Sequence, residues 1–348
     1  MASIFQNGLF TEGFDGDPTA ALVFTQISSG SCVASGVFGF GYYYNLTNTS
    51  GILLNANLAS LLVGVHIYIG SLPSSSAILF EWYDVTAGAA QVTLRVTSTG
   101  ALQFYLGSGT GTPIGSASAA GVIAANTWTF LEGLAVISAT VGQVIAQVNG
   151  VNVITTAATQ NTKSTANTFV NAFTFPAVSI GTQAYDNWYM LDMTGSAPFN
   201  TFLGPVQCRG EVATANSAVS GRNAFTGTPA TGSNTYQNVA HVPAVPASDY
   251  NYDANPGDYD MFRFPNLPSN VATVLAVNHK VLVNLDSAGA RTVALNKYSG
   301  GTDSLGTAFT PGSSVAYANK VDTVDPNTSA AWTVAAAQAA ECGLKVVS

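Results

Sequence analysis

The residues of this chain that could do chemistry are few and scattered. The densest set lies in YDNWYMLDMTG, Tyr185 to Gly195, where Asp186, Asn187 and Asp192 stand among large apolar side chains. Carboxylate and amide oxygens so spaced could ligate calcium or a sugar hydroxyl at the mouth of a sandwich. Calcium takes about six to eight oxygens, and only Asp192 joins locally, so Asp186 and Asp192 are weak metal candidates and the expectation is no cofactor. In a regular strand Tyr185, Asn187 and Tyr189 share one face, and Asp186, Trp188 and Met190 the other. The reading taken is structural: Trp188 and Met190 in a core, with Asp186 and Asn187 in hydrogen bonds where the strand begins.

Glycoside hydrolysis needs two carboxylates roughly 5–9 Å apart, which strand neighbours at i and i+2 supply. Glu81 and Asp84 in EWYD are three apart and fall on opposite faces, while Glu132 stands alone in TFLEGL. Asp258 and Asp260 have the right spacing, but beside Asp253 in a Pro/Gly-rich stretch they read as a solvated acidic loop. Ser304 in GTDSLG lacks the nucleophile elbow. His66, His241 and His279 lie far apart, and the first and last interrupt apolar runs as structural histidines do. GSGTGTPIGS has no lysine and no following helix to cradle phosphate. No catalytic residue is assigned, and the chain is expected not to be an enzyme.

Composition narrows the classes. Of 348 residues 47% are hydrophobic and 8% charged, against about 25% charged in an average soluble protein. Ser, Thr, Asn and Gly fill the polar role, which suits close, uncharged contact with other subunits. The net charge is −8, no Lys or Arg precedes Arg95, and only Lys163 follows before Arg209. Nucleic-acid binding rests on such side chains and is set aside. The same absence leaves no positive segment for a signal peptide, and LASLLVGVHIYIG is too short to span a bilayer. Cys32, Cys208 and Cys342 are odd in number and widely spaced, as reduced buried thiols in a cytoplasmic product would be.

Around these residues the chain reads as strands. GVHIYIG, AILFEWYDV, QVTLRVTSTGALQFYLG, TWTFLEGLAVIS and GQVIAQVNGVNVIT show period-two alternation, with hairpin turns at Gly100 and at Asn149-Gly150. Residues 211–257 read as an extended connector whose Phe225, Tyr236 and Tyr250 suit lying along a surface. Strands resume at YDMFRFPNL, TVLAVNHKVLVNLD, RTVALNKYS and SVAYANKVDTV. A helix is predicted after Asp325, Asn327 or Ser329 as N-cap, ended by Gly343 in a left-handed conformation, with Trp332 sealing it on the second β-domain. Tyr42, Tyr43, Tyr44 and Asn45 in FGFGYYYNLTNTS are the binding or interface candidates: alternation leaves at least one tyrosine outward, for a neighbouring subunit or a glycan.

The run GQVIAQVNGVNVIT, then VSIGTQAYDNWYMLDMTGSAPFNTFLGPVQCRG, resembles the closing half of a concanavalin-A-like (laminin-G-like) jelly roll, in the form found in tailed-bacteriophage virion proteins. The matching residues are Phe199, Asn200, Phe202, Leu203 and Gly204, and TEGFDG fits the opening half. The tail, NVATVLAVNHKVLVNLDSAGARTVALNKYSGG and VDPNTSAAWTVAAAQAAECGLKVV, resembles the C-terminal region attached to such domains. The resemblance implies an all-β chain: a jelly roll over 1–210, the connector over 211–257, and a smaller β-rich domain over 258–348 with one short terminal helix. It implies a non-enzymatic virion component, such as a capsid decoration, collar, or fibre or spike protein. Its partners would be copies of itself, as a trimer, and capsid or tail proteins; host surface glycan is the alternative, and nucleic acid and membrane are not expected. Relatives carry two adjacent aspartates where this chain has Asp186-Asn187, which weighs against calcium there.

Overall fold

The computed structural model describes residues 10–12, 30–34, 42–46, 50–176, 181–207, 209–241, 246–285 and 291–348. Two compact units divide the chain, one ending at Arg209 and the other running from Gly210 to Ser348.

Among its described residues the first unit has fourteen strands: β1 (Phe10–Glu12), β2 (Gly30–Ala34), β3 (Tyr42–Leu46), β4 (Ser50–Leu58), β5 (Ser60–Ile69), β6 (Ser76–Asp84), β7 (Ala89–Thr97), β8 (Leu102–Leu106), β9 (Pro113–Ile114), β10 (Trp128–Val136), β11 (Gln143–Val148), β12 (Val151–Thr155), β13 (Val170–Phe175) and β14 (Gln183–Leu191). They form two antiparallel sheets. One runs β12-β11-β10-β5-β14-β3-β2 with β1 added on β14, and the other β4-β13-β6-β7-β8-β9. A single core fills the space between them. Leu61, Val63, Val65, Ile67 and Ile69 of β5 face Phe80 and Trp82 of β6, Val92 and Leu94 of β7, and Phe173 of β13. This is the expected all-β jelly-roll sandwich, and the sequence alternation is its cause, because every second residue of β5 must leave water. Trp82 ties the layers directly: its indole N–H donates to the Leu61 carbonyl at 2.9 Å. Its ring lies where Gly133 has no side chain, and a Cβ there would sit 2.7 Å from it. The β11–β12 hairpin turns on Asn149 and Gly150, both at positive φ (50° and 78°), as a two-residue turn matched to strand twist requires.

Strand β14 departs from regular alternation. Asp186 pairs with His66 and Tyr189 with Gly64, so three steps on β14 span two on β5. The extra residue is a bulge at Asn187, whose φ is +47°. One consequence is that Tyr185, Trp188 and Met190 all enter the same core. Trp188 and Met190 were expected there; Tyr185 was not, because the bulge changes the parity between them. All nine residues of β14 are buried.

The second unit holds β15 (Ala215–Asn216), β16 (Thr226–Thr228), β17 (Tyr250–Tyr252), β18 (Tyr259–Arg263), β19 (Val277–Val283), β20 (Val293–Ser299), β21 (Thr302–Leu305), β22 (Ala316–Asp322), β23 (Glu341–Val346) and one helix, α1 (Val334–Ala339). A five-stranded sheet runs β15-β18-β23-β20-β21, and two ribbons pair β16 with β17 and β19 with β22. Its core is small: Val293, Leu295 and Leu344, with Phe225, Val281, Phe309 and Ala318 packed against them. Residues 211–257, read as a connector, contribute β15 to this sheet, a 3-10 turn over Thr235–Val239, and the β16–β17 ribbon.

The helix is shorter than its Ala-rich sequence predicts, and its boundaries differ. Thr333 is the N-cap, accepting from the Ala336 N–H at 3.0 Å. Asp325 instead closes the preceding turn, its carboxylate accepting from the Asn327 N–H and its carbonyl from the Ser329 N–H. Gly343 is no helix stop. It is a mid-strand residue of β23, paired with Met261 and Asn296. A Cβ at Gly343 would overlap the Asp260 carbonyl, so glycine is needed for close approach of β18, while Leu344 supplies the core contact that makes this segment a strand. Trp332, expected to seal the helix, is buried, with its indole N–H donating to the Asp322 carbonyl at 2.8 Å.

Candidate functional site

The first unit gathers titratable groups on the outer face of its eight-stranded sheet. Register places Phe130, His66 and Asp186 in one row across β10, β5 and β14, and Glu132, Gly64 and Tyr189 in the next. Gly64 is what joins that second row. A Cβ there would overlap the Tyr189 ring; without one, the ring lies across β5 and its hydroxyl donates to Glu132 Oε1. The chain after β14 then closes over the pair. The Leu203 N–H donates to the Tyr189 hydroxyl at 3.1 Å, and the Gly204 N–H donates to Glu132 Oε1 at 2.9 Å. Phe130 stacks on Tyr189 from one side and meets the His66 ring edge-on, with centroids 4.7 Å apart.

Burial sets the charge states. Glu132 is fully buried, and desolvation raises its pKa more than the bonds from Tyr189 and Gly204 lower it. Its Oε2 has no hydrogen-bond partner. Burial lowers His66 to about 4, so the imidazole is neutral at pH 7. Burial, then the neighbouring Glu132 charge, pushes the Tyr189 phenol far above its ordinary value. Acid, histidine and tyrosine would be an acid–base set if a substrate could enter. Here Glu132, Tyr189, Asp186 and His66 are at most 7% exposed, and the chain itself occupies the approach. Glu132 and Tyr189 fasten residues 203–204 onto the sheet.

The other sequence candidates are placed as follows. Asp186 Oδ1 accepts from the Asn187 N–H at 2.7 Å, and Asp192 Oδ1 accepts from the N–H and hydroxyl of Thr194. Among the described residues no group of three or more His, Cys, Asp or Glu is placed to hold a metal ion. Tyr42, Tyr43, Tyr44 and Asn45 lie in β3 between β2 and β14; their side chains, like Cys32 and Cys208, fall outside the description. Glu81 accepts from the Thr174 hydroxyl at 2.6 Å. Asp84 is tied separately: burial would raise its pKa, but bonds from Thr165, Asn167 and the backbone around Ala87 outweigh that and lower it. The acidic loop needs correction, since Asp260 is buried on β18 rather than solvated. Desolvation raises it to about 7, and its Oδ2 accepts from Asn251 at 2.8 Å.

Sequence reasoning missed two clusters. Glu132 looked isolated because its partners lie 57 and 72 residues away, beyond any local spacing rule. In the second unit Lys297 is fully buried, donating to Asp322 Oδ2 and the Val277 carbonyl, both at 2.6 Å. Lys320 donates to the same carboxylate and to Ser304. His279, which burial and then Lys297 and Lys320 lower to about 3, lies opposite Lys320 in the ribbon. The cluster binds the β19–β22 ribbon to β20, an unexpected use of a lysine inside an apolar strand.

No protein-family model matches the chain, and no curated protein matches it in sequence. Solved structures similar to it include the alginate lyase Aly36B (13% identity, TM-score 0.37, 53% of this chain and 96% of that one). Cellulose induced protein Cip1 is similar at 10% identity and TM-score 0.38, over 53% and 97% of the two chains. The carbohydrate binding module CBM66 from Bacillus subtilis is similar at 13% and 0.31, over 48% and 96%. Among the described residues no helix is long and apolar enough to cross a membrane.

Proposed function

We propose that this chain is a non-enzymatic structural component of a tailed-phage virion, working through contacts with copies of itself and with capsid or tail proteins. The observation that carries the reading is the buried Glu132–Tyr189 cluster, an acid and a phenol whose hydrogen bonds hold the chain's own segment at Leu203 and Gly204. The resemblance of residues 185–204 and of the DPNTSAAWT tail to virion proteins supplies the setting. A surface poor in charge suits permanent packing, because few ions lose water when copies meet. The test is sedimentation velocity of the purified chain, with co-sedimentation on particles. Self-association as a trimer and particle binding are expected; a monomer that never co-sediments overturns the reading.

A second reading, recognition of host surface glycan, is favoured by an exposed tyrosine pair in the second unit. It is compatible with a place on a particle.

A further inference from the structure

The β16–β17 ribbon has two unlike faces. On one, Tyr250 and Tyr252 stand side by side at alternate positions, 40% and 49% exposed, with ring centroids 6.1 Å apart. Thr228 and Thr226 lie directly opposite them in register. On the other face, Asn251 and Gly227 turn inward onto a buried amide network. Asn238 donates to the Pro229 carbonyl and to Asn251 Oδ1, both at 3.1 Å, and Asn251 donates to the Thr235 carbonyl and to Asp260. A Cβ at Gly227 would overlap the Asn238 amide. The ribbon is therefore held from beneath, while its two rings remain uncovered above.

We infer that Tyr250 and Tyr252 form a binding platform for a neutral oligosaccharide, stacking the apolar faces of adjacent sugar rings. The inference rests on the glycan reading above and places it in the second unit rather than at Tyr42–Tyr44. A tyrosine ring offers a flat apolar face and a polar tip, which matches a pyranose with C–H groups on its face and hydroxyls on its rim. Thr226 and Thr228 add uncharged hydroxyls on the same face. Charge selects among sugars. Asp253 and Asp249 flank β17, the latter with its Oδ2 2.7 Å from His241 Nε2, and carboxylates so placed disfavour uronic or sulfated chains. A protein partner fits less well: a stable interface needs about 800 Å² per side, and among the described residues the large exposed apolar side chain on the adjoining 3-10 turn is Val239 alone. Fixing the ribbon beforehand lowers the entropy lost on binding.

The intact chain is titrated calorimetrically with maltohexaose, cellohexaose and chitohexaose, and with polygalacturonate as the anionic control. At least one neutral probe is expected to bind and the control not to. Tyr250→Ala and Tyr252→Ala should each weaken binding about two- to tenfold, the worth of one ring contact, while Tyr→Phe keeps most of it. Against misfolding of the variants, nitration of the wild-type chain by tetranitromethane is mapped by peptide mass spectrometry; the bound sugar should protect Tyr250 and Tyr252. If no neutral probe binds, this site and the glycan reading fail together. If a probe binds with both tyrosines replaced or unprotected, the site assignment fails and the glycan reading stands. Loss of self-association in the double variant, with no sugar bound by the wild type, assigns the ribbon to copies of this chain and overturns the inference.

Discussion

Glu132 shows how a single buried carboxylate reports on its surroundings. Its folded pKa is raised, so its burial costs nothing below about pH 4.5 and progressively more as pH rises through the folded value. Glu132→Gln keeps an acceptor for Tyr189 and Gly204 and removes the charge. It is expected to be at least as stable as wild type at pH 8 in urea unfolding, with the difference shrinking toward pH 4.5. Glu132→Ala leaves the Tyr189 hydroxyl and the Gly204 N–H without this acceptor and should lose about 1–3 kcal/mol. If Gln were as damaging as Ala, the oxygen that has no partner here would have one. None of this was legible in TFLEGL, where alternation could say only that Glu132 lies opposite a core residue. What made it a cluster is a contact across three strands, and local pattern carries no such information.

Elements in this molecule are positioned by glycines as much as by side chains, and the two cases behave differently when tested. Gly64→Ala collides with the Tyr189 ring, a movable group, so the loss of about 1–3 kcal/mol expected for overpacking should be largely absent on a Tyr189→Ala background. A double-mutant cycle by chemical denaturation reads that coupling. Gly343→Ala meets the backbone of Asp260 and Met261, which no side-chain change relieves; its loss should persist in every background. Salt-bridge support differs again. Asp322→Ala leaves the buried Lys297 ammonium uncompensated and should destabilise the second unit by about 3–5 kcal/mol. The sequence was informative here in proportion to how local the cause is. The Asn149-Gly150 turn and the β5 alternation were readable because two to ten consecutive residues determine them. The bulge at Asn187 and the strand that replaces the expected helix stop at Gly343 were not, because partners far along the chain decide them: β5, where Asp186 pairs with His66, and β18, where Gly343 pairs with Met261.

At the scale of the whole molecule, each unit sets a buried histidine whose pKa is lowered against a buried acid whose pKa is raised. In the first unit these are His66, lowered to about 4, and Glu132, raised; in the second, His279, lowered to about 3, and Asp260, raised to about 7. The histidines contribute stability that is complete above pH 6.5 and lost as pH falls toward their folded values. The acids act the other way: stability is complete below the ordinary carboxylate range and lost as pH rises through the folded value. For His279 and Asp260 the shifts are each worth on the order of 4 kcal/mol at full effect and oppose one another. Asp253 pushes Asp260 up further, and Lys297 and Lys320 push His279 down. Asp84 and Asp303, held below the usual range, lose their contribution only under more acidic conditions. The second unit should therefore change little in stability between about pH 4 and 7. Removing one member should expose the other's slope. Asp260→Asn is expected to make the thermal midpoint of this unit fall steeply on acidification, whereas His279→Asn should make it fall as pH rises. Calorimetric scans from pH 4 to 8 check both, and a wild-type slope already as steep as either variant's would show that the two groups do not balance. Such balance lets the small core of the second unit tolerate a range of pH.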